Sequence, residues 1–269
     1  MIAFTSVQLD AWLAMFIYPL ARILALLAMA PVFNSAGMSM QVRLIVGLAI
    51  SLAIAPALPP APPVPPGSWQ GIAVLGQQML IGTVLGLTLR IVFTAVDIAG
   101  ELIGLQMGLS FATFFDPHSS AQTAVMSSFL GLVTTLLFLS MNGHLLILSV
   151  LAESFRLLPI GVKPFAAPGF GALLAWSTTM FSAGLMLALP LIAALLIANI
   201  SLGVLARIAP QLNIFAIGFP VTSITGFAVL MLSLPHFGAA LQRLYERGFV
   251  ALSDVLRAGG ALPFSPTSP

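Results

Sequence analysis

From residue 170 to residue 206 the chain reads FGALLAWSTTMFSAGLMLALPLIAALLIANISLGVLA. These 37 residues contain no Asp, Glu, Lys or Arg. At about 1.5 Å per residue they form a helix of about 55 Å, against a hydrocarbon core about 30 Å thick. Pro190 stands near the middle, so either one Pro-kinked helix or two half-helices fits. A segment that is apolar on every side has no water-facing stripe, which makes lipid or protein its solvent.

The rest of the chain follows suit. Of 269 residues, 59% are apolar and 6% charged, and the formal net charge is +2. Soluble domains carry roughly a quarter charged residues, so this composition excludes an ordinary soluble enzyme. A surplus of two positive charges is no nucleic-acid footprint. Cysteine is absent, which removes disulfides, thiolate metal sites and cysteine nucleophiles.

About six hydrophobic helical runs are expected, in an all-α integral membrane protein. Ala11 to Phe33 is interrupted only by Arg22. Leu44 to Leu58 is marginal as a span and leads into a Pro-rich connector over 56–67. Ile72 to Val96 contains Arg90, and its apolar pattern continues to Leu109; as one helix it would reach nearly 60 Å, so it must bend, break or project into water. Ala124 to Leu151, the opening 170–206 segment and Ile214 to Leu234, with Pro220 in its first turns, complete the set. Over 236–258, Phe237, Leu241, Leu244, Tyr245, Phe249, Leu252, Val255 and Leu256 recur at helical spacing, with Arg243, Glu246, Arg247, Asp254 and Arg257 mainly opposite. This predicts an amphipathic helix for a membrane surface or a partner. Residues 1–258 form one helical membrane domain, and 259–269 a disordered tail. The N-terminus lacks the basic region of a signal peptide, so an uncleaved first helix is expected. Six crossings would put Arg156, Lys163, Arg243, Arg247 and Arg257 on one side and Arg43 and Arg207 on the other, which favours cytoplasmic termini.

Polar residues inside these runs are the candidate functional positions. Arg90, Thr94, Asp97 and Glu101 share one helix face, and Gly100, Gly104 and Gly108 lie on the same arc at a spacing that lets another backbone approach. Buried charges of this kind serve either a proton or substrate path or a packing face with paired charges; packing is the favoured reading. His118, His144 and His236 have no ligand spacing, and no nucleophile elbow, zincin or phosphate-loop pattern occurs.

Two segments are not explained by polarity alone. In Gly108-Leu-Ser-Phe-Ala-Thr-Phe-Phe-Asp-Pro117, Phe111, Phe114 and Phe115 crowd between Gly108 and the turn-forming pair Asp116-Pro117. The residues alone allow a hydrophobic constriction that gates a pore by dewetting or a hairpin corner with packed aromatics. From Asn199 to Pro220, Pro210 and Gly218 punctuate a tightly specified helix–turn–helix, with Arg207, Gln211 and Asn213 offering donors to free carbonyls.

These two segments, together with Asn142-Gly143-His144 and with Arg22 followed by Ala30-Pro31-Val32-Phe33, resemble the FliR family, the flagellar branch of the type III secretion export-gate proteins. The resemblance runs in order from about Ala11 to about Phe249. It implies assembly with FliP and FliQ into a cone-like helical gate in the flagellar basal body at the bacterial inner membrane, contact with FlhB and FlhA, and passage of unfolded flagellar proteins through the centre. It implies helical hairpins rather than simple crossings, with much of the complex on the periplasmic side of the bilayer. It makes the segment from Gly108 to Ser119 a plug in the closed pore, carried by Phe111 and Phe114. No cofactor and no enzymatic activity are expected. The alternatives are the homologous subunit of a virulence injectisome, or a secondary transporter built around the Pro190 break and Arg90, Asp97 and Glu101; the transporter would call for an internal repeat, and none is evident.

Overall fold

The computed structural model of the chain describes residues 6–33, 38–58, 64–109, 124–161, 163–211 and 213–260. Among these, the secondary structure is helical: α1 Ser6–Met29, α2 Met40–Ile54 with a 3-10 turn Ala55–Ala57, α3 Trp69–Gln106, α4 Val125–Ser140, α5 Gly143–Leu157, α6 Ala167–Ile208 and α7 Ile214–Gly260. Four of them, α1, α3, α6 and α7, are long and apolar enough to cross a membrane, or five spans if the bent pair of α4 and α5 counts as one. The chain is therefore an all-α, multi-pass membrane protein.

Helix boundaries have local causes. Ser39 Oγ accepts from Val42 N at 3.4 Å and starts α2. Ser68 Oγ accepts from Gly71 N at 3.0 Å at the start of α3, which covers one of the donors that every helix N-terminus leaves open. The α4–α5 break falls at Asn142, in the left-handed region at φ 57°; Asn enters that region more readily than most side chains.

The 38-residue α3 is continuous, as are the 42-residue α6 and the 47-residue α7. Of the two readings open for the 170–206 segment, a single helix containing Pro190 is the one observed. The last apolar run and the amphipathic stretch are one helix, α7, which ends at Gly260. Its apolar positions Leu241, Leu244, Tyr245, Leu252, Val255 and Leu256 are buried within the chain itself, while Arg243, Glu246, Arg247, Asp254 and Arg257 are exposed. The stripe expected to meet a membrane surface or a partner has an intramolecular core to cover.

The described residues group into two units, each built from segments distant in sequence. One takes the chain up to Arg90, Asn142–Ser177 and the part from Arg247; the other takes Ile91–Met141 and Thr178–Glu246. In the first, α1 lies close on α3: a Cβ at Gly82 would sit 2.2 Å from Arg22 O, and one at Gly86 2.4 Å from Met29 Cβ. The Phe165 ring lies against Gly169 and Gly259 and meets Phe170 edge-on, with centroids 5.0 Å apart. In the second, Phe93, Phe138 and Tyr245 form an aromatic cluster with centroids 5.3–5.9 Å apart, and Tyr245 Oη donates to Thr134 O at 3.0 Å. Such aromatic pairs add to area burial by about 0.5–1.5 kcal/mol each.

Candidate functional site

The polar residues of α1, α3 and α5 meet at a buried arginine. Arg22, Gln78 and Ser154 are all fully buried. Arg22 Nε and Nη2 donate to Gln78 Oε1 at 2.9 and 2.6 Å. Nη1 donates to Ser154 O at 2.9 Å and to Ser154 Oγ at 3.1 Å. Nη2 also donates to Leu158 O at 2.7 Å. All five N–H groups of a guanidinium thus find an acceptor, and the group lies 4.1 Å from the centroid of the Phe155 ring. None of these partners is a carboxylate. The charge is held by dipoles and a π face, at the C-terminal end of α5, where a helix presents its open carbonyls and partial negative charge.

The glycine face of α3 divides into three roles. A Cβ at Gly100 would lie 2.4 Å from Ser127 Cα, so α4 of this same chain occupies that side. At Gly104 the nearest atom would be Met126 Cβ at 3.7 Å, an ordinary contact. Gly108 adopts φ 79° and ends the helix: Gly108 N donates to Leu105 O at 3.1 Å and Leu109 N to Gly104 O at 3.0 Å. That double bond pattern is a Schellman stop, which favours glycine at the left-handed position. Thr222 Oγ1, from α7, donates to Met107 O at 3.2 Å and covers one more carbonyl.

Arg90, Asp97 and Glu101 are all exposed, and Asp97 Oδ1 accepts from Ser127 Oγ at 3.3 Å. The signature turn joins α6 to α7. Ala209 N closes on Leu205 O at 2.8 Å, and Ile217 N on Asn213 O at 3.2 Å. Arg207, Pro210, Gln211 and Asn213 are exposed there, while Gly218 and Pro220 fall inside the first turns of α7. Phe111, Phe114, Phe115, Asp116 and Pro117 lie outside the described residues.

Large apolar side chains are exposed along α6 and α7, among them Met186, Ile197, Ile208, Ile224, Met231 and Leu232. In the most apolar stretch of each of these helices only 17% of residues are buried, against 61% in α3. Two long helices with their apolar surface uncovered define an integral membrane protein whose helices need lipid or other protein as their solvent. Residues 13–248 match the family described as bacterial export proteins, family 1, and the chain belongs to it. It is 44% identical to the flagellar biosynthetic protein FliR of Pectobacterium carotovorum subsp. carotovorum over 95% of this chain and 98% of that protein. It is 43% identical to FliR of Escherichia coli (strain K12) over the same shares of the two chains. FliR of Bacillus subtilis (strain 168) is 29% identical over 68% of this chain and 72% of its own length.

Proposed function

We propose that this chain is a structural and gating subunit of the flagellar type III protein-export channel, seated in the inner membrane at the flagellar basal body. The observation that carries the reading is the likeness to FliR proteins over nearly the whole of both chains. The uncovered apolar sides of α6 and α7 support it, because a subunit of a larger membrane assembly needs such faces. FliP and FliQ are the partners that form the gate with it, and FlhB and FlhA adjoin the assembly. Its part is mechanical: polar side chains cap and tie helices, and no reaction is assigned to it.

The segment that follows Gly108 supplies the seal, through Phe111 and Phe114. Its first hinge is the left-handed Gly108, the last turn of which is already closed by its own bonds. A phenylalanine-lined gap disfavours water and hence ions.

The test is a pull-down. An affinity-tagged copy, expressed at native level and extracted in mild detergent, is expected to bring down FliP and FliQ. A chain that purifies alone or only with copies of itself overturns the reading and favours a transporter.

A further inference from the structure

We infer that a belt on α6 and α7 is the part of the second unit that lies in the hydrocarbon of the bilayer. Arg207 marks one edge of the belt and reaches lipid phosphates there; the level of Asp97 and Arg243 marks the other. The inference goes beyond the export-channel reading and does not depend on it.

Three helices of this unit turn polar at one level. α3 and α6 are level where a Cβ at Gly184 would lie 2.8 Å from Ala95 O and 3.0 Å from Ile98 Cγ2. α3 and α7 are level where Phe93 meets Tyr245, with ring centroids 5.8 Å apart. Asp97, Ser182, Gln242, Arg243 and Glu246 are exposed within a turn of those contacts, and Glu101 follows one turn further along α3. Past this level, residues 102–108, 183–206 and 214–241 contain no Asp, Glu, Lys or Arg. α3 stays against α7 to its end, where a Cβ at Gly226 would lie 2.6 Å from Met107 Cγ. The exposed side chains of the interval are mostly large and apolar, among them Leu185, Met186, Ile197, Phe227 and Met231. Ser201 returns its hydroxyl to Ile197 O at 2.9 Å, and Asn199 and His236 are the other exposed polar side chains among the described residues there. Polarity returns at the far end with Arg207, Gln211 and Asn213, all exposed.

At about 1.5 Å per residue, Gly184 and Arg207 stand about 35 Å apart along α6, against a hydrocarbon core about 30 Å thick. Charged side chains avoid that core, and long ones at its edge extend their heads into the headgroup layer. A guanidinium there meets phosphate oxygens with paired N–H donors. The first unit offers no matching interval. The start of α3 is charge-free up to Arg90, but Gln77 Nε2 donates to Lys163 O, and Lys163 is exposed on that neighbouring segment.

The sequence has no cysteine, so each single-cysteine variant carries one spin label. Ile197→Cys, Phe227→Cys, Ile208→Cys and Gln242→Cys are made in the full chain, coexpressed with FliP and FliQ, and reconstituted in vesicles of phosphatidylethanolamine and phosphatidylglycerol. Relaxation of a methanethiosulfonate spin label by oxygen, which concentrates in hydrocarbon, is compared with relaxation by nickel ethylenediaminediacetate, which stays in water. The oxygen-to-nickel ratio is expected to be highest at Ile197 and Phe227 and to fall severalfold toward Ile208 at one edge and Gln242 at the other. A flat profile, or one that rises toward either edge, overturns the belt. Labels at Ile197 and Phe227 shielded from both oxygen and nickel mean that partner subunits cover the belt, and overturn lipid as its solvent. Arg207→Leu is expected to raise the ratio at Ile208, because the tip loses its hold on phosphate and sinks; an unchanged ratio overturns the part given to Arg207. Copurification of FliP and FliQ is scored separately: its failure overturns the export-channel reading and leaves the depth profile to decide the belt.

Discussion

The guanidinium of Arg22 joins three helices through partners 56, 132 and 136 residues away. Removing one partner is worse than never having had the charge, because a stranded buried cation keeps its full desolvation cost. Gln78→Leu deprives two N–H groups of their acceptor and is expected to lower stability by about 3 kcal/mol, at about 1.5–3 kcal/mol per bond to a charged group. Arg22→Lys keeps the charge but has three donors on a point-like head, and cannot reach the acceptors on both α3 and α5. Both variants should melt at lower temperature in detergent; a Gln78→Leu protein with an unshifted melting curve would show the network to be dispensable. As a sequence feature, Arg22 was visible as the lone charge in an apolar run, which already marks a residue with a partner. Gln78 and Ser154 were not legible, since a neutral polar residue in a membrane helix has many ordinary uses and the acceptors at Ser154 and Leu158 include backbone carbonyls, which no sequence displays.

The elements carry predictions of their own. At Gly100 an added methyl would overlap the backbone of α4, so Gly100→Ala must push two helices apart, at about 1–3 kcal/mol for overpacking. Gly104→Ala has room, and Ala is about 1 kcal/mol better than Gly inside a helix; it should leave the melting temperature unchanged or raise it. Equal losses at both positions would mean that the α3–α4 contact is not as close as described. Gly108→Val is expected to cost about 1–2 kcal/mol for the left-handed backbone, read as faster amide exchange in the last turn of α3; unaltered exchange there would rule out the Schellman stop. The GxxxGxxxG spacing announced a close approach but could not say that one glycine packs, one has slack and one ends the helix. Periodicity found the amphipathic stretch of α7 and its buried face. It could not join that stretch to the apolar run before it, because Pro235 stands at the seam and the helix runs through it.

At the level of the whole molecule, the proposed seal is testable as a leak. Deleting Ser110–Phe115, or changing Phe111 and Phe114 together to Ala, should let a small charged dye or ions into cells that carry the assembled complex. A tight membrane with assembly verified would return these aromatics to packing. The class of protein was legible from composition and from runs too long and too apolar for water. The grouping into two units was not, because each is assembled from segments that no local pattern links. That grouping bears on synthesis. The first unit begins with α1 and is finished by the end of α7, where Gly259 O accepts from Ala166 N at 2.9 Å. At about 5–20 residues per second on the ribosome, α1 waits several seconds for the carbonyls that receive Arg22, and the unit stays open until the end of α7 has been made. Until then the nascent chain is a set of unlocked helices, exposed to chaperones, insertases and membrane proteases, and only the arrival of the last part of α7 lets the unit close.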